Sequence, residues 1–318
     1  DLSAYLESLK RCLGLSSAIQ EKLLMNKDFT TIDDQICILK RRNLTFVSEE
    51  TATKALQRFG YYNIMNGYKD PYVEIVNGEE RYRDGTTFEQ VYSLFACDRA
   101  IRNNLMDAML QIEDNLKAAL SYTLGEDFSA DQSLYLKPEN FRAGKNRNGV
   151  YQRDELLKKF DKIMNDNSQP IKHYREVHNN IPPWILLKGA SFGNLVNFIK
   201  LQKGTQKNKI ISIVYDIPES FVAISTELKD LFMDTLFVCL DFRNRAAHGG
   251  RIYNYNTKST FRFNPILHER MNVSEADYRC GIGKTGLPAL TQAISLFDNK
   301  DPSMTLKVAC SFFLNKHF

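Results

Sequence analysis

The residues best suited to chemistry gather near position 245. Arg243, Asn244, Arg245 and His248 fall close together, and Gly249, Gly250, Arg251 and Asn254 follow at once. An apolar run leads into them from about Thr226, with Leu228, Leu231, Phe232, Leu236, Cys239 and Leu240 at helical spacing. The polar group therefore falls at the C-terminal end of a helix. On that helix Asn244 and His248 lie about 40° apart and share a face, while Arg243 lies about 140° from His248. Gly249 takes the position that ends a helix, so His248 sits in the last turn, where the macrodipole favours imidazolium. An imidazole can move protons, and a guanidinium beside it can neutralise charge that builds on a reacting phosphate. RNA brings its own nucleophile, the 2′-OH, so this chemistry calls for neither metal nor cofactor. A plainer role also fits, because Arg and His at a helix end can satisfy its carbonyls and a nearby carboxylate.

Other arrangements are weaker. Gly281-Ile282-Gly283-Lys284-Thr285 resembles the end of a phosphate-binding loop, but Tyr278 stands where the first glycine is needed. Arg262 and His268 are separated by Pro265, which breaks the helix that would fix them. His173 and His178 have no carboxylates grouped around them. The six cysteines form no CxxC pair and no zinc-ligand spacing with histidine, so no metal site is expected. Phe141 to Gly149 carries Arg142, Lys145 and Arg147 with no acid, a loop suited either to phosphate or to solvent.

Composition sets few limits. The chain has 318 residues, 43% hydrophobic and 25% charged, with a net charge of +4. That mild basic bias permits a nucleic acid without demanding one. No apolar run approaches the roughly 20 residues of a membrane span. Unpaired cysteines in apolar stretches suit a reducing compartment, so a cytoplasmic protein without membrane contact is expected.

The elements that must position the motif read as helices. Leu2, Leu6, Leu9 and Leu13 repeat at helical spacing, as do Ile32, Ile36 and Leu39. The tyrosines of the stretch over 61–72 could stack on bases, but such a cluster reads more simply as a packed corner. Asn77-Gly78 marks a hairpin. Thr86 or Thr87 opens a long helix to about Leu124, stopped by Gly125 and carrying the pairs Asp98/Arg102 and Glu113/Lys117. Those charges can serve a site only if their face meets the Arg243–His248 end. A loop over 126–150, helices near 151–165 and 170–179, a core-anchoring Trp184 and an exposed turn over 200–209 complete this part. Two helices close the chain. The expected fold is all-α with one small β-hairpin at most. It divides into an N-terminal helical region over 1–85 and a helical domain over 86–318, the two packed as a single unit.

The string Arg243-Asn244-Arg245-Ala246-Ala247-His248-Gly249-Gly250-Arg251-Ile252-Tyr253-Asn254 closely resembles the RNxxxHxxRxxN signature of the Abi family of bacterial abortive-infection proteins, the AbiD and AbiF type. Asn63 to Tyr72 resembles that family's Tyr-rich segment. Phe95-Ala96-Cys97-Asp98-Arg99-Ala100-Ile101-Arg102 resembles its FDxxLR helix, followed by Ile112-Glu113. Pro183-Trp184 with Ser191-Phe192-Gly193 resembles its PxW…SFG element. Cys97 and Ala100 replace bulkier apolar residues.

The resemblance implies a HEPN-like helical bundle, a role in antiviral defence and an endoribonuclease that leaves a 2′,3′-cyclic phosphate. His248 would transfer protons, Arg243 would hold the phosphate, and Asn244 would orient the histidine or the substrate. Arg251, Asn254, Arg142, Lys145 and Arg147 are the expected RNA contacts, with Asp98, Arg102 and Glu113 in support. With one copy of the motif, the site would be composite, formed in a homodimer or higher homo-oligomer. A small structured RNA is an implied partner. The rival expectation is a HEPN protein that holds such an RNA without cutting it.

Overall fold

The computed structural model describes residues 29–317, with side chains through 311. The leucine repeat at Leu2 to Leu13 lies outside the described residues. The chain divides into two compact units, up to Phe95 and from Ala96 onward.

In the first unit, α1 (Ile32–Arg41) starts at a capping box, Thr31 with Asp34, and α2 (Glu49–Phe59) starts at Ser48. A π-helical turn over Tyr62–Asn66 follows. Strands β1 (Val73–Val76) and β2 (Glu79–Tyr82) pair antiparallel, with Val76 opposite Glu79. Asn77 and Gly78 have φ of 53° and 83°, the two positive values that a tight type I′ turn requires. The Tyr-rich corner is only partly packed: Tyr68 is buried against Phe95, whereas Tyr62 is exposed. The long helix α3 (Phe88–Asp127) begins here, its first turn closed by Thr87 and Gln90 in reciprocal hydrogen bonds.

The second unit carries the rest of α3. Gly125 does not stop it; the helix runs on to Asp127, where Lys209 and Gln206 hold the terminal carboxylate. The expected loop over 126–150 contains a short helix, α4 (Gln132–Tyr135), and a second hairpin, β3 (Asn146–Arg147) with β4 (Val150–Tyr151). Asn148-Gly149 turns it with φ of 51° and 82°, the same device as the first hairpin. Helices α5 (Gln152–Met164), α6 (Ile171–Val177) and α7 (Pro183–Leu186) follow. Trp184 is not the expected core anchor: it is 48% exposed. Helices α8 (Phe192–Leu201) and α9 (Gly204–Tyr215) replace most of the exposed turn expected over 200–209, leaving only Gln202 and Lys203 between them.

Helix α10 (Glu219–Ile224) leads to α11 (Thr226–Ala247), which Ser225 caps. Helices α12 (Pro265–His268), α13 (Glu275–Arg279), α14 (Gly286–Ile294) and α15 (Asp301–His317) complete a mostly α fold. No described helix is long and apolar enough to cross a membrane.

Helix α11 is the hub of this unit, packing on α8, α9, α10, α12 and α14. Its buried residues include Leu228, Leu231, Phe232, Thr235, Leu236, Cys239, Phe242 and Ala246, a stripe that recurs every three or four positions. Phe242 is the last large anchor before the polar end, fully buried and edge-on to Tyr255 at 5.4 Å. Phe242→Ala should therefore lower stability by about 3–5 kcal/mol, as for other large core truncations. Urea unfolding of the purified variant checks this, and a change below about 1 kcal/mol would contradict the anchoring role.

Candidate functional site: a polar helix end clamped by a buried carboxylate

The stripe on α11 fixes the direction of the helix, and its last residues then leave the core. Its C-terminus is a Schellman turn. The Gly249 N–H donates to the Ala246 carbonyl at 3.0 Å, and the Gly250 N–H to the Arg245 carbonyl at 2.9 Å. Gly249 has φ of +70°, a left-handed conformation that β-carbon sterics disfavour. His248 is the capping residue just after Ala247, its N–H bound to the Asn244 carbonyl at 3.2 Å and the residue itself exposed.

Arg245 folds back over this turn. Its Nε donates to the Arg251 carbonyl at 3.2 Å, and its guanidinium lies 5.1 Å from the centre of the Tyr255 ring. Gly250 leaves room for it, since a β-carbon there would come within 2.3 Å of Arg245 Nε.

A second clamp comes from α3. Asp98 is fully buried, and its Oδ1 accepts the N–H of Ile252 at 2.9 Å and of Tyr253 at 2.6 Å. Arg102, one turn along, donates from Nη1 to the carbonyls of Gly249 at 3.2 Å and Gly250 at 3.4 Å. The salt bridge along the helix that the i, i+4 spacing suggests is the lesser contact, at 3.8 Å. A buried carboxylate is costly unless its oxygens are satisfied, and here backbone donors satisfy one of them. The face of Asp98 and Arg102 therefore does meet the motif, through the backbone that follows it.

Among the expected site residues, Arg243, Asn244 and His248 share the helix end. Arg243 is half-buried, and its Nε is enclosed without a hydrogen-bond partner. Asn244 and Asn254 are exposed. Arg251 lies over the Tyr253 ring at 5.6 Å and gives its carbonyl to Arg245.

Glu113 does not join them. It pairs with Lys117 at 2.8 Å, four turns along α3 from Asp98, or about 22 Å at the rise of an α-helix. Arg142, Lys145 and Arg147 gather instead beside α8 and α9. Arg262 and His268 are engaged elsewhere: His268 is buried, with Nδ1 at 3.0 Å from the Asn264 N–H, and Arg262 pairs with Asp230 and Asp234. No group of three or more His, Cys, Asp or Glu among the described residues could hold a metal ion. Neither the role of Arg245 as a brace nor the pairing of Asp98 with the Ile252 and Tyr253 amides carries a signal in local spacing.

The fold and site together define a helical protein whose Arg-Asn-His cluster, with Asn244 and His248 exposed and Arg243 half-buried, ends a buried helix and is backed by a carboxylate from another. A family model described as Abi-like protein matches residues 54–254, a span that ends on the last residue of the motif. The chain belongs to this family, which supports a role in abortive infection. No curated protein and no solved structure matches it.

Substitutions at two positions test the Asp98 clamp and the Gly249 turn. Asp98→Ala would strand the Ile252 and Tyr253 amides, a loss of about 1–3 kcal/mol for each buried unpaired group. Thermal or urea unfolding should register a combined loss of about 2–5 kcal/mol, and an unchanged midpoint would refute the clamp. At Gly249 a β-carbon meets no atom within 4 Å, so only backbone strain opposes it. Gly249→Ala should cost about 1 kcal/mol and Gly249→Asn less, because Asn tolerates the left-handed region. Equal stability of the Ala, Asn and wild-type proteins would count against the strained turn.

Proposed function

We propose that this protein is an endoribonuclease of abortive infection whose reaction needs no metal, built on a HEPN-type motif at the end of α11. The observation that carries the reading is the contrast among the arginines. Arg245 and Arg102 are spent on backbone carbonyls, whereas Arg243 keeps an enclosed Nε without a partner beside the exposed Asn244 and His248. A planar guanidinium with donors to spare suits a phosphate, and the exposed imidazole supplies proton transfer.

In the reaction, the 2′-oxygen attacks the adjacent phosphorus, forming the P–O2′ bond while the P–O5′ bond breaks. The proton of the 2′-OH passes to an imidazole, and a proton is delivered to the departing 5′-oxygen. The products are a 2′,3′-cyclic phosphate and a 5′-OH. Arg243 stabilises the charge on the phosphorane, and Asn244 orients His248 or the substrate. A single imidazole does not reach both oxygens in one step. Two copies of the motif facing each other, in a homodimer or higher homo-oligomer, provide both the base and the acid.

His248→Ala should reduce cleavage by roughly 10²- to 10⁴-fold, the usual contribution of a general acid or base. Its RNA affinity should remain within about threefold of wild type, a difference below 1 kcal/mol. The assay uses chelator-treated protein and end-group analysis of the RNA fragments. Equal cleavage by wild type and His248→Ala would sink the assignment. Binding by both without cleavage by either would favour a protein that holds RNA without cutting it.

A further inference from the structure

A second concentration of positive charge lies in the same unit, between the β3–β4 hairpin and the start of α9. The hairpin segment is tied to the end of α8 by the Arg142 N–H, which donates to the Leu201 carbonyl at 2.8 Å, and by a bridge between Phe141 and Gln202. Gly144 allows this close approach, because a β-carbon there would come within 2.8 Å of Leu201 Cδ2. Lys200 reaches Gln152 Oε1 at 3.2 Å, and Lys207 donates to the Lys200 carbonyl at 2.9 Å. These contacts set Arg142, Lys145, Arg147, Lys200, Lys203 and Lys207 around one corner.

No carboxylate balances them: among the described residues none of these six forms an ion pair. Asp154 is taken by Arg153 at 2.8 Å and Asp127 by Lys209 at 2.7 Å, and the exposed Glu139, three residues before Arg142, pairs with none of the six. The cations act on each other instead. Burial, then Arg142 and Lys200, lowers the pKa of Lys207 to about 8. Burial, then Lys145 and Arg147, lowers that of Lys200. Helix α9 also begins here without a side-chain cap, so the N–H groups of its first turn, Gly204 to Gln206, add the positive end of its dipole. A folded chain that holds like charges together with neither acid nor cap keeps a standing repulsion, which a polyanion would relieve.

We infer that this corner is a docking surface for the phosphate backbone of single-stranded RNA, separate from the Arg243–His248 helix end. The exposed Arg142, Lys145, Arg147 and Lys203 provide mobile contacts, and Lys200 and Lys207 provide a fixed cationic floor. Cations spread over a hairpin and a helix start suit a chain of phosphates better than a single phosphate. The inference rests on RNA as the substrate of the proposed site, and it adds a place where the strand is held away from the bond that is cut.

The test measures binding rather than cleavage, so it stands apart from the nuclease reading. A fluorescein-labelled 30-nucleotide RNA is titrated by anisotropy in the full-length His248→Ala background over a range of NaCl. Replacing Arg142, Lys145, Arg147 and Lys203 together with Ala should weaken binding at least tenfold. The slope of log K against log salt should fall by roughly 2 to 3, from about 0.7 per phosphate contact on a single strand. The control replaces the exposed Lys158, Lys159, Lys162 and Lys188, which removes the same charge. Thermal unfolding confirms that both variants are folded. Unchanged affinity in the corner variant, or an equal loss in both, would overturn the inference. RNA binding that depends on the corner in a protein that cuts nothing would leave it standing while the nuclease reading falls.

Discussion

The arrangement at the motif depends on one buried carboxylate. Asp98 is enclosed in the second unit, where an unsatisfied charge would be prohibitive, and the N–H groups of Ile252 and Tyr253 satisfy one of its oxygens. Because those amides follow the motif directly, the carboxylate determines where the chain goes after α11 ends. Arg102 adds to this by holding the carbonyls of Gly249 and Gly250, groups that a helix C-terminus leaves without internal partners. The polar helix end is thus pinned from behind by α3, and Asn244 and His248 need take no part in holding it.

That separation of tasks shapes the helix end. Ala246 and Phe242 belong to the core, and Arg245 braces the turn over Gly250 and Tyr255. Arg243, Asn244 and His248 are left over, on a rigid element whose position is settled by other residues. Reactive groups are best held that way, since their geometry then does not depend on the contacts they must exchange during a reaction. Family membership gives the arrangement its biological setting, abortive infection.

The corner formed by Arg142, Lys145, Arg147, Lys200, Lys203 and Lys207 follows the opposite principle. At the helix end the charges of Arg102 and Arg245 are compensated, by Asp98 and by backbone carbonyls. At the corner it is left uncompensated, and burial with mutual repulsion lowers the pKa of Lys207 to about 8. A hairpin fixed by Gly144 and the Phe141–Gln202 bridge keeps the cations close despite that repulsion.

Much of the fold was legible in local sequence, because helix periods, caps and Asn-Gly turns are short-range properties. The stripe on α11, its start near Thr226, the Gly249 stop and the first hairpin are all visible in the residues themselves. Their order also identified the family. The sequence misled where a tertiary contact outweighed local preference. Gly125 does not end α3, Trp184 is not buried, and a supposed loop carries the Asn148-Gly149 hairpin. Spacing could place Asp98 and Arg102 four residues apart, but not aim them at a backbone about 150 residues away. Nor could it show that the lysines of α8 and α9 meet the basic hairpin. Local chemistry named the residues of the helix end, and long-range packing decided which of them are used to hold it and which remain available.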